Sequence, residues 1–251
     1  MNDTKYGFFL DIDNTLYTKG VICQQNRDAI DYVRSKGHFV FINTARSLSN
    51  IPEPVAQLPV DGFVTSIGCN VIVNSEKIFN VAFPPEQIAE EFDFVTQHGM
   101  KMFVEGEEHL IANPYYEGWD EFIIVKDGKE LLEKYGNENL PKVFIGAVLD
   151  DECREYLEKR HTVFQHPHYA EYAVEGCSKA SGMFLAAEKC GILKENCVAM
   201  GDSVNDLAML EAAGISVAMG NSSDEVKKVC DIVTCDAQDG GVAEAMMQIV
   251  K

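Results

Sequence analysis

Residues 8–20 read FFLDIDNTLYTKG: an apolar run ends at Leu10, and two acids, Asp11 and Asp13, follow with one residue between them. An unbroken apolar run from Tyr6 to Leu10 suits a strand buried on both faces of a parallel sheet. Two carboxylates at its end repel each other unless something positive lies between them, so the pair is costly for folding alone. The cost points to a site at the strand's end.

The surrounding chain fits that reading. Residues Gln24 to Lys36 place Ala29, Ile30 and Val33 on one helical face, and Gly37 stands where a helix end favours a left-handed residue. A second strand, HFVFIN (38–43), completes a βαβ unit, whose crossover is expected to be right-handed. After IPEPVAQLPVDG (51–62), read as turn material, FVTSI (63–67) reads as a strand and VIVNSEKIF (71–79) as a hairpin turning near Asn74 to Lys77. From Pro84 the rhythm changes. A helix is expected over Gln87 to His98, strands at KMFV (101–104) and KVFIGAVL (142–149), and a helix over Asp151 to Lys159, with turn-rich sequence between.

Beyond Gly176 the βα alternation returns. It gives a helix over Lys179 to Cys190, strand CVAMGD (197–202), a helix over Asp206 to Ala213, and strand ISVAMG (215–220). A helix over Asp224 to Val229, strand DIVT (231–234) and a last helix from Gly241 follow. The expected architecture is α/β: a Rossmann-like parallel-sheet core from residues 1–82 and 177–251, with an α+β domain, residues 83–176, inserted between them.

Composition narrows the function. The chain has 251 residues, 46% of them apolar, enough for buried cores. Acids outnumber bases 40 to 21 for a formal charge of −19, and no basic patch stands out, which argues against nucleic acid or an anionic membrane as partner. Neither a signal segment nor a run of 18 apolar residues is found. The eight cysteines are scattered without a C-x-x-C pair, and read as reduced thiols, mostly small buried hydrophobes, in a cytoplasm.

In an open parallel sheet, ligands bind beyond the carboxyl ends of the strands. Asp11 and Asp13, Thr44 and Asp202 are all expected there. Three carboxylates in one crevice suit a hard divalent ion such as Mg²⁺. A metal, a hydroxyl and a basic residue together neutralise a phosphoryl group in transfer, and a carboxylate can serve as the nucleophile.

DIDNTL (11–16) resembles the D-x-D-x-T signature of the haloacid dehalogenase superfamily, and GDSVNDLAML (201–210) is similar to its G-D-x-x-N-D signature, in the same order. The position of the insert resembles the Cof-type phosphatases with a large α/β cap. The resemblance implies a Mg²⁺-dependent phosphatase acting on small phosphorylated metabolites, sugar phosphates foremost. It makes Asp11 the nucleophile and a metal ligand, and Asp13 the general acid and base that lends its backbone carbonyl to the metal. Thr15 braces the loop, Thr44 bonds the phosphoryl oxygens, Lys179 in EGCSKASG (175–182) balances the charge, and Asp202 is the further metal ligand. Asn205 and Asp206 hold metal-bound water or phosphate. The second motif departs from the usual Ala-Thr-Gly-Arg: here it is Asn43-Thr44-Ala45-Arg46, and Ala45 takes positive φ less freely than glycine, so the contribution of Ala45 and Arg46 to substrate binding depends on the loop's shape.

Other readings stand beside these. Lys179 also fits an ordinary helix start, and the histidines of HPH (166–168), with His161, match no zinc spacing and suit a strand and turn of the insert. The aromatic stretch NPYYEGWDEF (113–122) either lines a sugar pocket or fills the insert's core, the latter preferred. A phosphosugar mutase with the same core, or a phosphosugar-binding regulatory protein with little turnover, are the alternative functions.

Overall fold

The computed structural model describes residues 4–115 and 121–250. These form two compact units: one comprises the chain up to Ala45, Ile51–Asn80 and the chain from Ser178 onward, the other Arg46–Asn50 and Val81–Cys177.

In the first unit the chain runs β1 (Gly7–Leu10), α1 (Gln24–Ser35), β2 (Phe39–Asn43), the single-turn α2 (Glu53–Ala56), β3 (Gly62–Thr65) and the hairpin β4 (Asn70–Val73) and β5 (Glu76–Asn80). In the second unit follow α3 (Pro85–Gln97), β6 (Met102–Glu105), β7 (Leu110–Ala112), β8 (Phe122–Ile124), α4 (Gly128–Tyr135), β9 (Lys142–Ile145), α5 (Asp151–Glu158), β10 (Phe164–Gln165) and β11 (Ala170–Ala173). The chain returns to the first unit with α6 (Lys179–Lys189), β12 (Cys197–Gly201), α7 (Leu207–Ala212), β13 (Ile215–Ala218), α8 (Asp224–Val229), β14 (Ile232–Val233) and α9 (Gly241–Ile249).

The first sheet has the order β14-β13-β12-β1-β2-β3-β4-β5, parallel from β14 to β3 and antiparallel in the β3-β4-β5 meander. Its central strands β1, β2 and β12 are largely apolar because helices cover both faces. Phe8, Leu10, Val40, Ile42, Val198 and Met200 enter one core, and the alternate residues Phe9, Phe41 and Ala199 enter the other. Helix α1 buries Asn26, Ala29, Ile30 and Val33 at helical spacing, and Gly37 just beyond it has φ +87°. Leu10 pairs with both Met200 and Ile42, so β1, β2 and β12 end level with one another. That register decides which side chains meet.

The second unit has its own sheet, β10-β11-β9-β6-β7-β8, and its own core, in which Ile88 and Phe92 of α3 pack with Val104, Val143, Ile145 and Tyr172. Within that core Glu91 is fully buried and accepts hydrogen bonds from Tyr172 Oη at 2.7 Å and Gln87 Nε2 at 3.0 Å, with His161 Nε2 at 2.8 Å. His161, expected at a strand or turn, is thus a buried partner of a carboxylate. The segment Arg46–Asn50 groups with this unit: Ser47 N–H donates to Glu105 Oε2 at 3.3 Å and Ser49 Oγ to the Gly106 carbonyl at 2.7 Å.

Several local expectations shift. The stretch 51–62, read as turn material, contains α2, started by Pro52 and Pro54. The strand expected through Ile67 stops at Thr65, and Ser66, Ile67 and Gly68 follow with φ of +50°, +57° and +87°. KVFIGAVL is a strand only to Ile145. Residues 116–120, half of the aromatic stretch 113–122, lie outside the described residues.

Candidate active site

The carboxyl ends of β1, β2 and β12 carry Asp11, Asn43 with Thr44, and Gly201 with Asp202. Asp11 lies one residue past β1, its N–H donating to the Met200 carbonyl at 3.0 Å. After Asp13, which is exposed, the chain turns back at Asn14 (φ +56°), a conformation asparagine tolerates. Buried Thr15 then sets its hydroxyl 3.4 Å from Asp202 Oδ1, tying the first loop to the end of β12.

Lys179 opens α6, whose start is fixed by a reciprocal capping box between Ser178 and Ser181. Its side chain is 1% exposed and its Nζ lies 2.6 Å from Asp11 Oδ1 and 2.6 Å from Asp206 Oδ1. Asn205 Oδ1 is 3.4 Å away. The other oxygen of Asp206 accepts the N–H groups of Asp202 and Ser203, each at 3.1 Å, so one buried carboxylate both holds the lysine and shapes the loop after β12. Gly201 is required there, because a Cβ on it would lie 2.5 Å from the Asp206 carboxyl carbon.

Carboxylate oxygens of Asp11, Asp202 and Asp206 lie within 4.8 Å of one another. One lysine faces three carboxylates. Burial, opposed by Lys179 and reinforced by Asp206 and Asp13, pushes the Asp11 carboxyl up to about 7. Burial and Asp206 likewise push Asp202 up to about 6. Burial works against the charge of Lys179, but Asp11 and Asp206 outweigh it and hold the ammonium above its ordinary range. The surplus of negative charge on hard oxygen donors fits a divalent ion such as Mg²⁺.

Thr44 is buried, its N–H donating to the Val64 carbonyl at 2.9 Å and its carbonyl accepting from Ile67 N–H at 3.3 Å. Ala45 is not among the residues with positive φ, so the substitution for glycine introduces no left-handed strain at that position. Arg46 belongs to the second unit and bonds locally, its Nη1 donating to the Asn50 carbonyl at 2.9 Å and to Asn50 Oδ1 at 3.1 Å.

Two features escaped the sequence reading. Asn43 donates from Nδ2 to the Lys179 carbonyl at 2.9 Å, and the departure from alanine was its signal. The left-handed turn at Ser66–Gly68 packs against Ser178, and no motif marked it; a Cβ on Gly68 would lie 2.1 Å from the Ser178 carbonyl oxygen. A second group of donors, His98, Asp150 and Cys153, is explained by helix capping: Asp150 caps α5 by accepting the Cys153 N–H at 2.7 Å. Among the described residues no helix is long and apolar enough to cross a membrane.

Residues 8–246 match the family described as haloacid dehalogenase-like hydrolase. The chain is 29% identical, over 94% of its length and 92% of the relative's, to 5-amino-6-(5-phospho-D-ribitylamino)uracil phosphatase YcsE of Bacillus subtilis. Its fold is similar to that of BT1666, from a study of HAD-superfamily phosphatases, of Bacteroides thetaiotaomicron, with TM-score 0.82, 25% identity and coverage of 99% and 96% of the two chains. It is also similar, with TM-score 0.79 and 23% identity over 98% and 99% of the chains, to the HAD subclass IIB sugar phosphatase BT4131. With the match spanning nearly the whole chain and both charged loops inside it, the protein is a member of the haloacid dehalogenase-like hydrolase family.

Proposed function

We propose that the protein is a Mg²⁺-dependent phosphatase that hydrolyses small phosphomonoesters through an aspartyl-phosphate on Asp11. The observation that carries this reading is the Lys179 ammonium held 2.6 Å from both Asp11 and Asp206, beside Asp202, at the carboxyl ends of β1 and β12. In this reading Asp11 Oδ1 is committed to Lys179 and Oδ2 attacks phosphorus. The bond from phosphorus to the ester oxygen breaks, and Asp13 gives that oxygen a proton, which a poor alkoxide leaving group needs. Exposed Asp13 then takes a proton from water, the resulting hydroxide attacks phosphorus, and the Asp11–phosphorus bond breaks to release phosphate.

Throughout, Lys179 offsets the charge on Asp11 and the transferring group, while Thr44 and Asn205 bond phosphoryl oxygens. Ala45 and Arg46 continue the loop that carries Thr44, and Thr15 and Asp206 brace the loop after β12. Asp11, the Asp13 carbonyl and Asp202 would hold Mg²⁺, which when bound neutralises phosphoryl oxygens. Asp206, within reach of both carboxylates, steadies the set.

Substrates are taken to be phosphorylated sugars or sugar alcohols. The relative YcsE acts on a phosphoribityl compound, and a structure with the same fold is a sugar phosphatase. The insert, residues 83–176, is read as the substrate-selecting cap, and it has a hydrophobic core of its own. No disulfide joins any of the eight cysteines, in keeping with a reducing cytoplasm.

The test is phosphate release from a panel of sugar phosphates, sugar-alcohol phosphates, nucleotides and an aryl phosphate, with Mg²⁺ or chelator, for the native protein and Asp11→Asn. Release that needs both Mg²⁺ and Asp11 supports the reading. Isomerised product that appears only with a bisphosphate activator would replace it with a mutase.

A further inference from the structure

Asn43 is the last residue of β2, in a strand that is otherwise apolar, and it is 0% exposed. An amide there gives up its water on every side. Its Oδ1 has no hydrogen-bond partner among the described residues, so half of the side chain is desolvated without return. The other half is tightly engaged: Nδ2 donates to the Lys179 carbonyl at 2.9 Å and lies 3.0 Å from Met209 Sδ. The assignment of the amide is forced, because the flipped group would set two oxygens 2.9 Å apart.

We propose that Asn43 is a positioning residue for Lys179, an inference that rests on the phosphatase reading for its catalytic consequence. Lys179 is the first residue of α6, and its carbonyl belongs to the helix's first turn. A carbonyl oxygen has two lone pairs, so Asn43 can bond it without displacing the helical hydrogen bond. The amide therefore ties the start of α6 to the end of β2, one residue before Thr44.

The geometry explains why a tie is needed. The Lys179 side chain must reach two acceptors at 2.6 Å, and bonds that short leave little room for the helix to slide. The capping box fixes the helix start relative to itself, and the close packing of Gly68 on Ser178 and of Gly182 on Val64 holds the helix by van der Waals contact without a directional bond. Asn43 adds a directional bond across 136 residues of sequence, from the strand that carries Thr44. A shift of about 1 Å in a reacting group can lower turnover by about 100-fold.

The test uses the full-length protein with Mg²⁺ and the variants Asn43→Ala and Asn43→Asp. The aspartate keeps the shape but loses the donor. Both should lower kcat by about 10- to 100-fold with KM changed less than about threefold, and the loss should vanish in a Lys179→Met background. A second readout needs no turnover: acetylation of each lysine under native conditions, followed by mass spectrometry. Lys179 should label several-fold faster in both variants, while Lys142, buried in the other unit, keeps its native rate. Should alanine or aspartate fail to fold, Asn43→Ser carries the same readouts.

Unchanged Lys179 labelling with native kcat overturns the inference, and so does a kcat loss that persists without Lys179, or labelling that rises equally at Lys142. A native protein without turnover refutes the phosphatase reading instead, and the labelling rates then decide the positioning role alone.

Discussion

Replacing Lys179 with methionine tests the electrostatic account of the site directly. The side chain keeps an unbranched shape of similar reach but leaves Asp11 (7% exposed) and Asp206 (0% exposed) facing each other without their shared cation. Breaking a buried ion pair by removing one partner costs about 3–5 kcal/mol. For a domain of this size each kcal/mol moves Tm by about 2–4 °C. The variant should therefore unfold about 6–20 °C lower at pH 8 in chelator.

The loss should depend on pH in a defined sense. Asp11 in the native protein is already raised to about 7, and Lys179 is the main influence holding it down, so in the variant it rises further. A carboxyl with a raised folded pKa binds more protons folded than unfolded, so stability falls as pH climbs from about 4 through the folded value. The penalty is then smaller at pH 5, where Asp11 is protonated, than at pH 8. Added Mg²⁺ should recover part of it at pH 8 by supplying positive charge. Calorimetry at both pH values, with chelator and with Mg²⁺, measures each quantity. A Tm within 1–2 °C of native at pH 8, or an equal loss at both pH values, would refute the reasoning.

The same linkage applies to the native protein: with Asp11 raised to about 7 and Asp202 to about 6, stability in chelator should fall between pH 5 and pH 8, and Mg²⁺ should flatten the slope, as denaturant titrations at each pH would show. Ala45→Gly should lower stability by no more than about 1 kcal/mol, because Ala45 is not left-handed and glycine only adds freedom to the unfolded chain. Gly68→Ala should cost more than about 2 kcal/mol and lower turnover, since the residue has φ +87° and its Cβ would lie 2.1 Å from the Ser178 carbonyl oxygen; a native Tm would contradict the packing described. In the second unit, Tyr172→Phe removes a 2.7 Å hydrogen bond to buried Glu91 and should cost about 1–3 kcal/mol, seen as faster amide exchange in α3 and β11 with α1 unaffected.

Much of the fold was legible because the first unit obeys simple rules. Its buried strands are continuous apolar runs, its helices show one buried face, and turn residues lie between, so β1, β2, β12 and β13 fall within a residue or two of their expected positions. The insert was harder to read. β7, β8, β10 and β11 are two to four residues long, too short to show a period, and α4 is two turns introduced by Asp127. Asp11, Thr44 and Asp202 could be expected to converge because each follows a strand at the same end of a parallel sheet, whereas Lys179 was marked only by the motif resemblance. The bond from Asn43 to Lys179 and the left-handed turn at Ser66–Gly68 depend on partners over 100 residues away, and local pattern carries no trace of them.

The position of the charges follows from what lies beneath them. Phe8, Phe9 and Leu10 on β1, Phe41 and Ile42 on β2, and Val198 to Met200 on β12 are all 0% exposed, so each strand is committed to the core up to its last residue. Only where the pairing ends can a carboxylate stand, and there it remains largely cut off from water. That partial burial raises Asp11 and Asp202 and makes the cluster dependent on positive charge, which Lys179 supplies in part. The second unit carries buried charges of its own: the Lys142 ammonium, 6% exposed, lies 3.0 Å from Glu171 and 3.6 Å from Glu105. Those pairs, its core and the buried Glu91 group all lie within Arg46–Asn50 and Val81–Cys177, so its charges are balanced inside that unit. Each unit thus balances buried charges around a core of its own, and in the first unit the acids left in excess stand together where the strands end.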